Sequence, residues 1–143
     1  MTEQATPYDR LGGEAGVRQL VDRFYDYMDS EDGARGVRQL HAKSLRASRE
    51  KLFLFLSGWL GGPDLYVQKY GHPRLRARHL PFAIDKAMRD QWMHCMKKAL
   101  ADTPINDDLR DRLTTAFAAT ADHMRNQPEH GEETGLRIFH PGG

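Results

Sequence analysis

Apolar residues recur at helical spacing along four segments of the chain and strand-like alternation is scarce, which constrains the fold more than any other feature. In the first segment, from Val17 to Met28, they follow the i, i+3, i+4, i+7 rule behind the turn LGGEAG. We expect this helix to end near Ser30, because the polar stretch SEDGARG follows it. A short piece from Val37 to His41 comes next, and the whole pattern predicts an all-α fold.

The three other helical segments have recognisable ends. They comprise residues 48–60, 85–100 and 106–124. The predicted N-caps, whose side-chain oxygens can accept from the first free amides, are Ser48, Asp85 and either Asn106 or Asp107. Gly61-Gly62-Pro63 and Thr103-Pro104 end the first two of these helices, since such residues do not continue a helix.

Length and composition limit the class of protein. The chain of 143 residues fits one domain, 1–127, followed by a polar, Gly- and Pro-rich flexible tail, 128–143. A formal net charge of +1 gives no basic field for nucleic acid. The single cysteine, Cys95, fits a reducing cytoplasm. The sequence shows neither a signal peptide nor an apolar run long enough to span a membrane.

The segment from Gly61 to Ile84 is poor in helix signals and contains the dodecamer GHPRLRARHLPF. Only seven residues between Pro73 and Pro81 can be helical, and so short a helix is marginal in water. The segment also carries apolar surface that needs a cover: Tyr66, Tyr70, Leu75, Leu80, Phe82 and Ile84. An apolar cofactor between the helices would cover this surface, and a metal bond from His79 would anchor the short helix.

His79 therefore has two interpretations. A His in an Arg-rich stretch is usually a solvated surface residue. A haem, however, needs an imidazole ligand, an apolar slot and cations for its propionates, and the dodecamer supplies all three, with Arg74, Arg76 and Arg78 as the cations. A zinc pair of His79 with His72 is disfavoured, because no HExxH, CxxC or close carboxylate accompanies it.

Other residues with chemical potential also have a structural interpretation. Tyr25 follows Phe24 on the first helix, where its hydroxyl either contacts water or donates to a ligand on a metal. Trp92 lies in an apolar stripe, and its indole N–H needs an acceptor when buried. Cys95 and His94 do not form a nucleophile–base pair, because adjacent helical residues point about 100° apart. We expect Cys95 in the core, and no phosphate-binding or dinucleotide motif occurs.

Five separated motifs give the chain a family resemblance. In order they are YDRLGG, RFYDYM, FLSGWLGGPDLY, GHPRLRARHLPFAI and RDQWMHCM. With these motifs the chain, from Tyr8 to about Gln127, resembles the truncated haemoglobins of the second group. The Gly12-Gly13 and Gly61-Gly62 pairs fit the glycine motifs of that abbreviated globin. The resemblance implies a two-over-two helical sandwich that encloses haem b, with a long loop before a short proximal helix.

The resemblance also implies roles for individual residues. His79 matches the proximal ligand of the iron, Tyr25 the distal tyrosine that hydrogen-bonds bound ligand, and Trp92 the tryptophan typical of this group. The implied walls of the distal pocket are Phe24, Ser48, Leu52, Phe55 and Met96. The other implied cofactor contacts are Lys51, Tyr66 and Arg78 at the propionates, together with Phe82 and Ile84.

The chain departs from the group between Tyr25 and Ser48. The stretch SEDGARGVRQLHAKSL is a few residues longer than expected, and His41 falls where the group commonly has Phe or Tyr. In the pocket, His41 is a titratable donor to the ligand, or an iron ligand when no external ligand is present. A shifted register would instead leave His41 exposed on a loop.

These residues favour a haem protein that binds dioxygen and other diatomic ligands reversibly, because several donors would stabilise the bound ligand. The alternative is a haem enzyme with peroxidase-like or nitric-oxide dioxygenase activity. The dioxygenase needs a separate reductase, because the chain has no flavin or nicotinamide motif. A third interpretation is a four-helix interaction module without cofactor. We expect a monomer or weak dimer.

Overall fold

The structure, a computed structural model, describes residues 5–80 and 82–126, without the side chains of Arg76 and Arg78. This described part consists of helices and their connections. The helices are α1 (Pro7–Leu11), α2 (Gly13–Ser30), α3 (Arg35–Gln39), α4 (Arg46–Trp59), α5 (Leu65–Tyr70), α6 (Leu75–His79), α7 (Lys86–Ala101) and α8 (Asp107–His123), with a 3-10 turn at Asp32–Ala34. The predicted tail, 128–143, lies outside the described residues.

The four long helices form two layers around one apolar interior. α2 packs against α4 and α7, and α7 packs against α8. Across the layers, Trp59 of α4 stacks on Phe117 of α8 with ring centroids 4.7 Å apart. Fully buried apolar side chains from all four helices fill the interior: Leu20, Phe24, Leu56, Met96, Leu100 and Leu109. Burial of one such side chain contributes roughly 1.5–3 kcal/mol, so this interior stabilises the predicted helical sandwich.

Side-chain caps confirm two predicted helix starts and correct a third. Asp85 and Asn106 accept from the amides three residues ahead, at 2.9 and 2.8 Å. The prediction of Ser48 as an N-cap is wrong. α4 begins earlier, because the amide of Arg49 already donates to the carbonyl of Leu45 at 2.8 Å, and Ser48 lies inside the first turn.

The predicted turn LGGEAG is partly helical. α2 begins at Gly13, and a capping box at Thr6 starts the additional helix α1. Gly12 has φ 109°, a left-handed conformation that suits glycine, where the two helices meet. At Gly16, a Cβ would lie 1.8 Å from the carbonyl oxygen of Leu11. The α1–α2 corner therefore closes tightly because its residues lack side chains.

The segment after α4 carries two short helices, and the sequence predicts the second one, which ends at His79. α5 has 6 residues and α6 has 5, with His79 as the last residue of α6. Arg74, directly before α6, has φ 49°, so the chain enters this helix from a left-handed residue. Within residues 5–80 and 82–126, no helix is both long and apolar enough to cross a membrane.

Candidate functional site

His79 makes a hydrogen bond that fixes its tautomer. Its Nδ1 lies 2.6 Å from the carbonyl oxygen of Leu75, four residues earlier. Because a carbonyl can only accept, Nδ1 carries the proton and the lone pair of Nε2 stays free. Metal-binding imidazoles are commonly oriented by such a bond to a carbonyl. His79 is thus arranged to bind a metal through Nε2.

The chain after His79 presents apolar side chains to the outside. Leu80 is 54% exposed and Phe82 is 42% exposed. Ile84, two residues further on, is buried. A macrocycle that binds beside His79 would remove such surface from water, at roughly 25 cal/mol per Å².

A cavity of about 730 Å³ opens between α4, the residues before His79 and α8. Its mostly apolar lining includes Phe55, Trp59, Leu75, Ala77, Ala119 and Met124, with His72, Arg74 and His123 as the charged or titratable members. This volume is within the roughly 300–1,000 Å³ of typical ligand and cofactor sites. Leu75 belongs to the lining and also holds the ring of His79, so the cavity adjoins the predicted proximal imidazole.

On the predicted distal side, three aromatic rings are in contact. The ring centroid of Phe24 lies 4.8 Å from those of both Tyr25 and Trp92. Ser48 of α4 interacts with the Tyr25 hydroxyl, so the structure brings this predicted wall residue to Tyr25. Burial raises the pKa of Tyr25 well above its ordinary value, although Arg49 and Ser48 oppose this rise. The hydroxyl therefore stays protonated and remains a donor.

His41 lies against Tyr25, with ring centroids 5.8 Å apart, and is half-buried. Its Nδ1 lies 2.9 Å from the carbonyl oxygen of Val37, so this nitrogen also carries the proton. Burial lowers the pKa of His41, the Val37 bond opposes the shift, and the charge of Arg38, together with that of His79 when its ring is protonated, adds to it. In the neutral ring Nε2 is an acceptor, and donation from Nε2 requires a protonated ring.

Two predicted propionate contacts meet around Tyr70. The Nζ atom of Lys51 lies 5.6 Å from the ring centroid of Tyr70, and the ring of Tyr66 lies 4.9 Å from it. Tyr66 is buried and also contacts Phe55, with ring centroids 6.3 Å apart. The structure thus brings a cation and a phenol together at one edge of the site. The side chain of Arg78 lies outside the described residues.

The remaining predicted wall residues differ in burial. Met96 is fully buried on α7, whereas Leu52 and Phe55 of α4 are half-buried.

Asn126 donates from Nδ2 to the carbonyl of His79 at 3.1 Å. No motif marks Asn126, because the two residues lie 47 positions apart in sequence.

The donor set fits haem better than a bare metal ion. In the part of the chain that the structure describes, no three His, Cys, Asp or Glu side chains cluster as metal ligands. A single oriented imidazole beside an apolar cavity suits an iron whose other ligands come with the cofactor. The exposed ammonium of Lys51 and the phenol of Tyr66 suit carboxylates at the rim of such a cofactor.

Two packed helical layers and the oriented ring of His79 fit the two-on-two truncated globin class. Residues 6–126 match the family described as bacterial-like globin. The chain belongs to this family, which implies a haem cofactor. The predicted resemblance and the predicted fold are confirmed.

Individual relatives agree over nearly their whole length. The chain is 39% identical to group 2 truncated hemoglobin YjbI of Bacillus subtilis over 123 residues, which cover 86% of this chain and 90% of that protein. The cold-adapted truncated hemoglobin of the Antarctic marine bacterium Pseudoalteromonas haloplanktis is 50% identical, with TM-score 0.84 and coverage of 86% and 99%. The group II 2-on-2 hemoglobin of Agrobacterium tumefaciens is 41% identical, with TM-score 0.85 and coverage of 90% and 98%.

Proposed function

We propose that this protein holds haem b and binds dioxygen and other diatomic ligands reversibly. The observation that carries the proposal is the bond of His79 Nδ1 to the carbonyl of Leu75, which leaves Nε2 free in a ring held by a residue that lines an apolar cavity. When bound, ferrous haem supplies the iron that takes the diatomic ligand. The proposed remaining cofactor contacts are Lys51, Tyr66 and Arg78 at the propionates and Phe82 and Ile84 at the macrocycle.

Tyr25 and Trp92 are the proposed donors to the ligand. Tyr25 keeps its proton because burial raises its pKa, and its ring is fixed against Phe24. Trp92 is fixed by the same Phe24 ring from the side of α7. A hydrogen bond to a partly charged ligand contributes about 1–3 kcal/mol, which slows ligand loss roughly tenfold or more. The walls that exclude water are Phe24, Ser48, Leu52, Phe55 and Met96.

The test is the visible absorption spectrum of the haem-reconstituted protein in its ferric, ferrous and oxygen-exposed states. We expect a Soret band and a stable spectrum under oxygen, both changed or lost in His79→Gly. A colourless protein that takes up no stoichiometric haem would overturn the proposal. We further propose that the protein acts in the cytoplasm as a monomer or weak dimer, and sedimentation of the holoprotein tests the second point.

A second candidate function, peroxidase-like turnover, is favoured by His41. Its neutral ring has a free Nε2 lone pair, which can take a proton from hydrogen peroxide as a general base. His41→Phe keeps an aromatic ring but removes the acceptor, so peroxide turnover should fall about a hundredfold. Unchanged turnover would exclude this role. The other possible enzymatic function is nitric-oxide dioxygenase activity supported by a separate reductase. It is measured in the unmodified protein and in the His41→Phe variant.

A further inference from the structure

The helix that carries His79 has few contacts of its own to hold it. α6 has 5 residues, and among the described residues no side chain caps its start. A helix of this length is not stable in isolation. The next residues offer little burial, since Leu80 and Phe82 are exposed. The direction of this segment must therefore be set by contacts from elsewhere in the fold.

Asn126 makes those contacts from the chain just beyond α8. Its Nδ2 donates to the carbonyl oxygens of His79 at 3.1 Å and Phe82 at 2.9 Å. Its Oδ1 accepts from the amide of Ile84 at 2.9 Å, and its own backbone amide donates to the carbonyl of Ile84 at 2.9 Å. One residue thus binds the backbone of 79–84 at its start, its middle and its end.

The chemistry of these partners requires an amide side chain. The carbonyls of His79 and Phe82 can only accept, and the amide of Ile84 can only donate, so Nδ2 and Oδ1 of Asn126 cannot be exchanged. A carboxylate at this position would keep the acceptor for Ile84 but would face two carbonyl oxygens. Asn is therefore matched to the segment, whereas the nearly isosteric Asp is not.

Asn126 itself is attached to a fixed point. Asp122, in the last turn of α8, pairs with Arg89 of α7 and with Arg125, the latter at 2.9 Å. The hydrogen bond from Arg89 lowers the pKa of Asp122, so the carboxylate stays charged near neutral pH. The end of α8 is held against α7 in this way, and Asn126 follows directly.

We infer that Asn126 is the positioning residue of the proximal histidine. It holds the backbone at and after His79, whereas the Leu75 carbonyl holds only the ring, so the two together set where Nε2 points. The inference rests on the proposed role of His79 as the iron ligand. Groups that orient metal ligands typically change metal affinity 10- to 100-fold, and we expect an effect of this size on haem retention.

The experiment compares Asn126→Ala and Asn126→Asp with the control Asn106→Ala in the full-length holoprotein. Asn106 is also an Asn at an end of α8, where it caps the helix at 2.8 Å from the Leu109 amide. The readouts are the iron–imidazole stretching band of the ferrous protein, hydrogen exchange at the Ile84 amide, and haem transfer to an acceptor apoprotein. Both Asn126 variants should shift or broaden the band and speed haem loss about 10- to 100-fold. Asn126→Ala, which also removes the acceptor for the Ile84 amide, should speed exchange of that amide at least about tenfold.

The control variant Asn106→Ala should have a lower melting temperature but an unchanged iron–imidazole band and unchanged haem retention. An unchanged band and unchanged haem loss in both Asn126 variants would overturn the inference, even if Ile84 exchanged faster. Absence of an iron–imidazole band in the unmodified protein would instead overturn the proposed function. If Asn126→Ala does not fold, Asn126→Gln keeps the amide but displaces it by one methylene, and the same band shift is expected.

Discussion

The imidazole rings of His79 and His41 are oriented by the same kind of hydrogen bond. In each ring, Nδ1 donates to the carbonyl four residues earlier, which is Leu75 at 2.6 Å or Val37 at 2.9 Å. Each ring therefore has a free lone pair at Nε2. The arrangement is local, because a side chain in a helical turn points back toward the preceding turn.

The surroundings of the two histidines differ. His41 contacts Tyr25, which is buried among protein side chains. His79 is followed by the exposed Leu80 and Phe82 and is held by a distant residue. The proposed ligand side of the site is thus formed by the packing of the protein itself, whereas the proposed iron side offers apolar surface to a cofactor. A cofactor that binds the folded state adds to its stability, and we expect this gain chiefly on the iron side.

The largest effect is expected from His79→Gly, because this change removes the proposed iron ligand. Haem affinity should fall at least about a hundredfold, the upper range seen for groups that merely orient a ligand. Free imidazole should restore the spectrum. Titration of the apoprotein with haem measures the loss. His94→Gly is the control, since His94 is exposed on α7, where its Nε2 lies 3.0 Å from the Glu31 carboxylate, and is not part of the cavity lining. An equal loss in both variants would contradict the assignment.

The second prediction concerns the alkylation rate of Cys95, which tests whether the proposed ligand side is ordered before haem binds. Cys95 is fully buried on α7, and burial, reinforced by the Glu31 carboxylate, raises the pKa of its thiol to about 11. Because the thiolate is the reactive form, alkylation near pH 8 should be at least about a hundredfold slower in the apoprotein than in the urea-unfolded chain. Similar alkylation rates in the apoprotein and in the unfolded chain would show that haem orders both the proposed ligand side and the proposed iron side. The contrast between the surroundings of His41 and His79 would then disappear.

A smaller effect is expected from Tyr25→Phe, which removes the buried donor of the ligand side. Oxygen dissociation, measured by stopped flow, should become roughly tenfold faster. Tyr27→Phe is the matched control on the same helix, because the Tyr27 hydroxyl bonds Asp102 on the surface. An unchanged rate in Tyr25→Phe would transfer the donor role to Trp92.

The smallest effect concerns the titration of His41. Burial lowers its pKa in the folded protein below the ordinary value near 6.5, so the unfolded chain takes up the proton first as the pH falls. The contribution of His41 to the free energy of unfolding is constant above about pH 6.5, the ordinary pKa that His41 has in the unfolded chain. It decreases as the pH drops through 6.5 toward the lowered pKa. The charge of Arg38, and that of His79 when its ring is protonated, also lower the pKa of His41, and Tyr25 stays neutral.

Urea unfolding of the apoprotein at about pH 7.5 and pH 5.5 measures this contribution. His41→Phe should lose less stability on acidification than the unmodified protein. Identical losses in the two proteins would mean that His41 titrates alike in the folded and unfolded states, and its burial against Tyr25 would then be excluded.

Local patterns predicted the long helices well. The segments 48–60, 85–100 and 106–124 correspond to α4, α7 and α8, because periodicity and caps act over one or two turns. The failures lie at helix starts. Ser48 has the chemistry of a cap, yet α4 begins at Arg46 and Ser48 lies inside its first turn. Gly13 looks like part of a turn, yet the tight approach at Gly16 lets α2 begin there.

By itself, the sequence determined the all-α class, the family and the short helix that ends at His79 between Pro73 and Pro81. The class and the short helix depend on helical spacing and on the restricted backbone of proline, which are properties of neighbouring residues, and the family follows from the resemblance of five motifs. The tertiary structure alone decided which groups meet that helix, such as Asn126 from 47 residues away. It also decided that His41 faces Tyr25. Such contacts depend on how the helical layers pack, and no spacing along the chain records them.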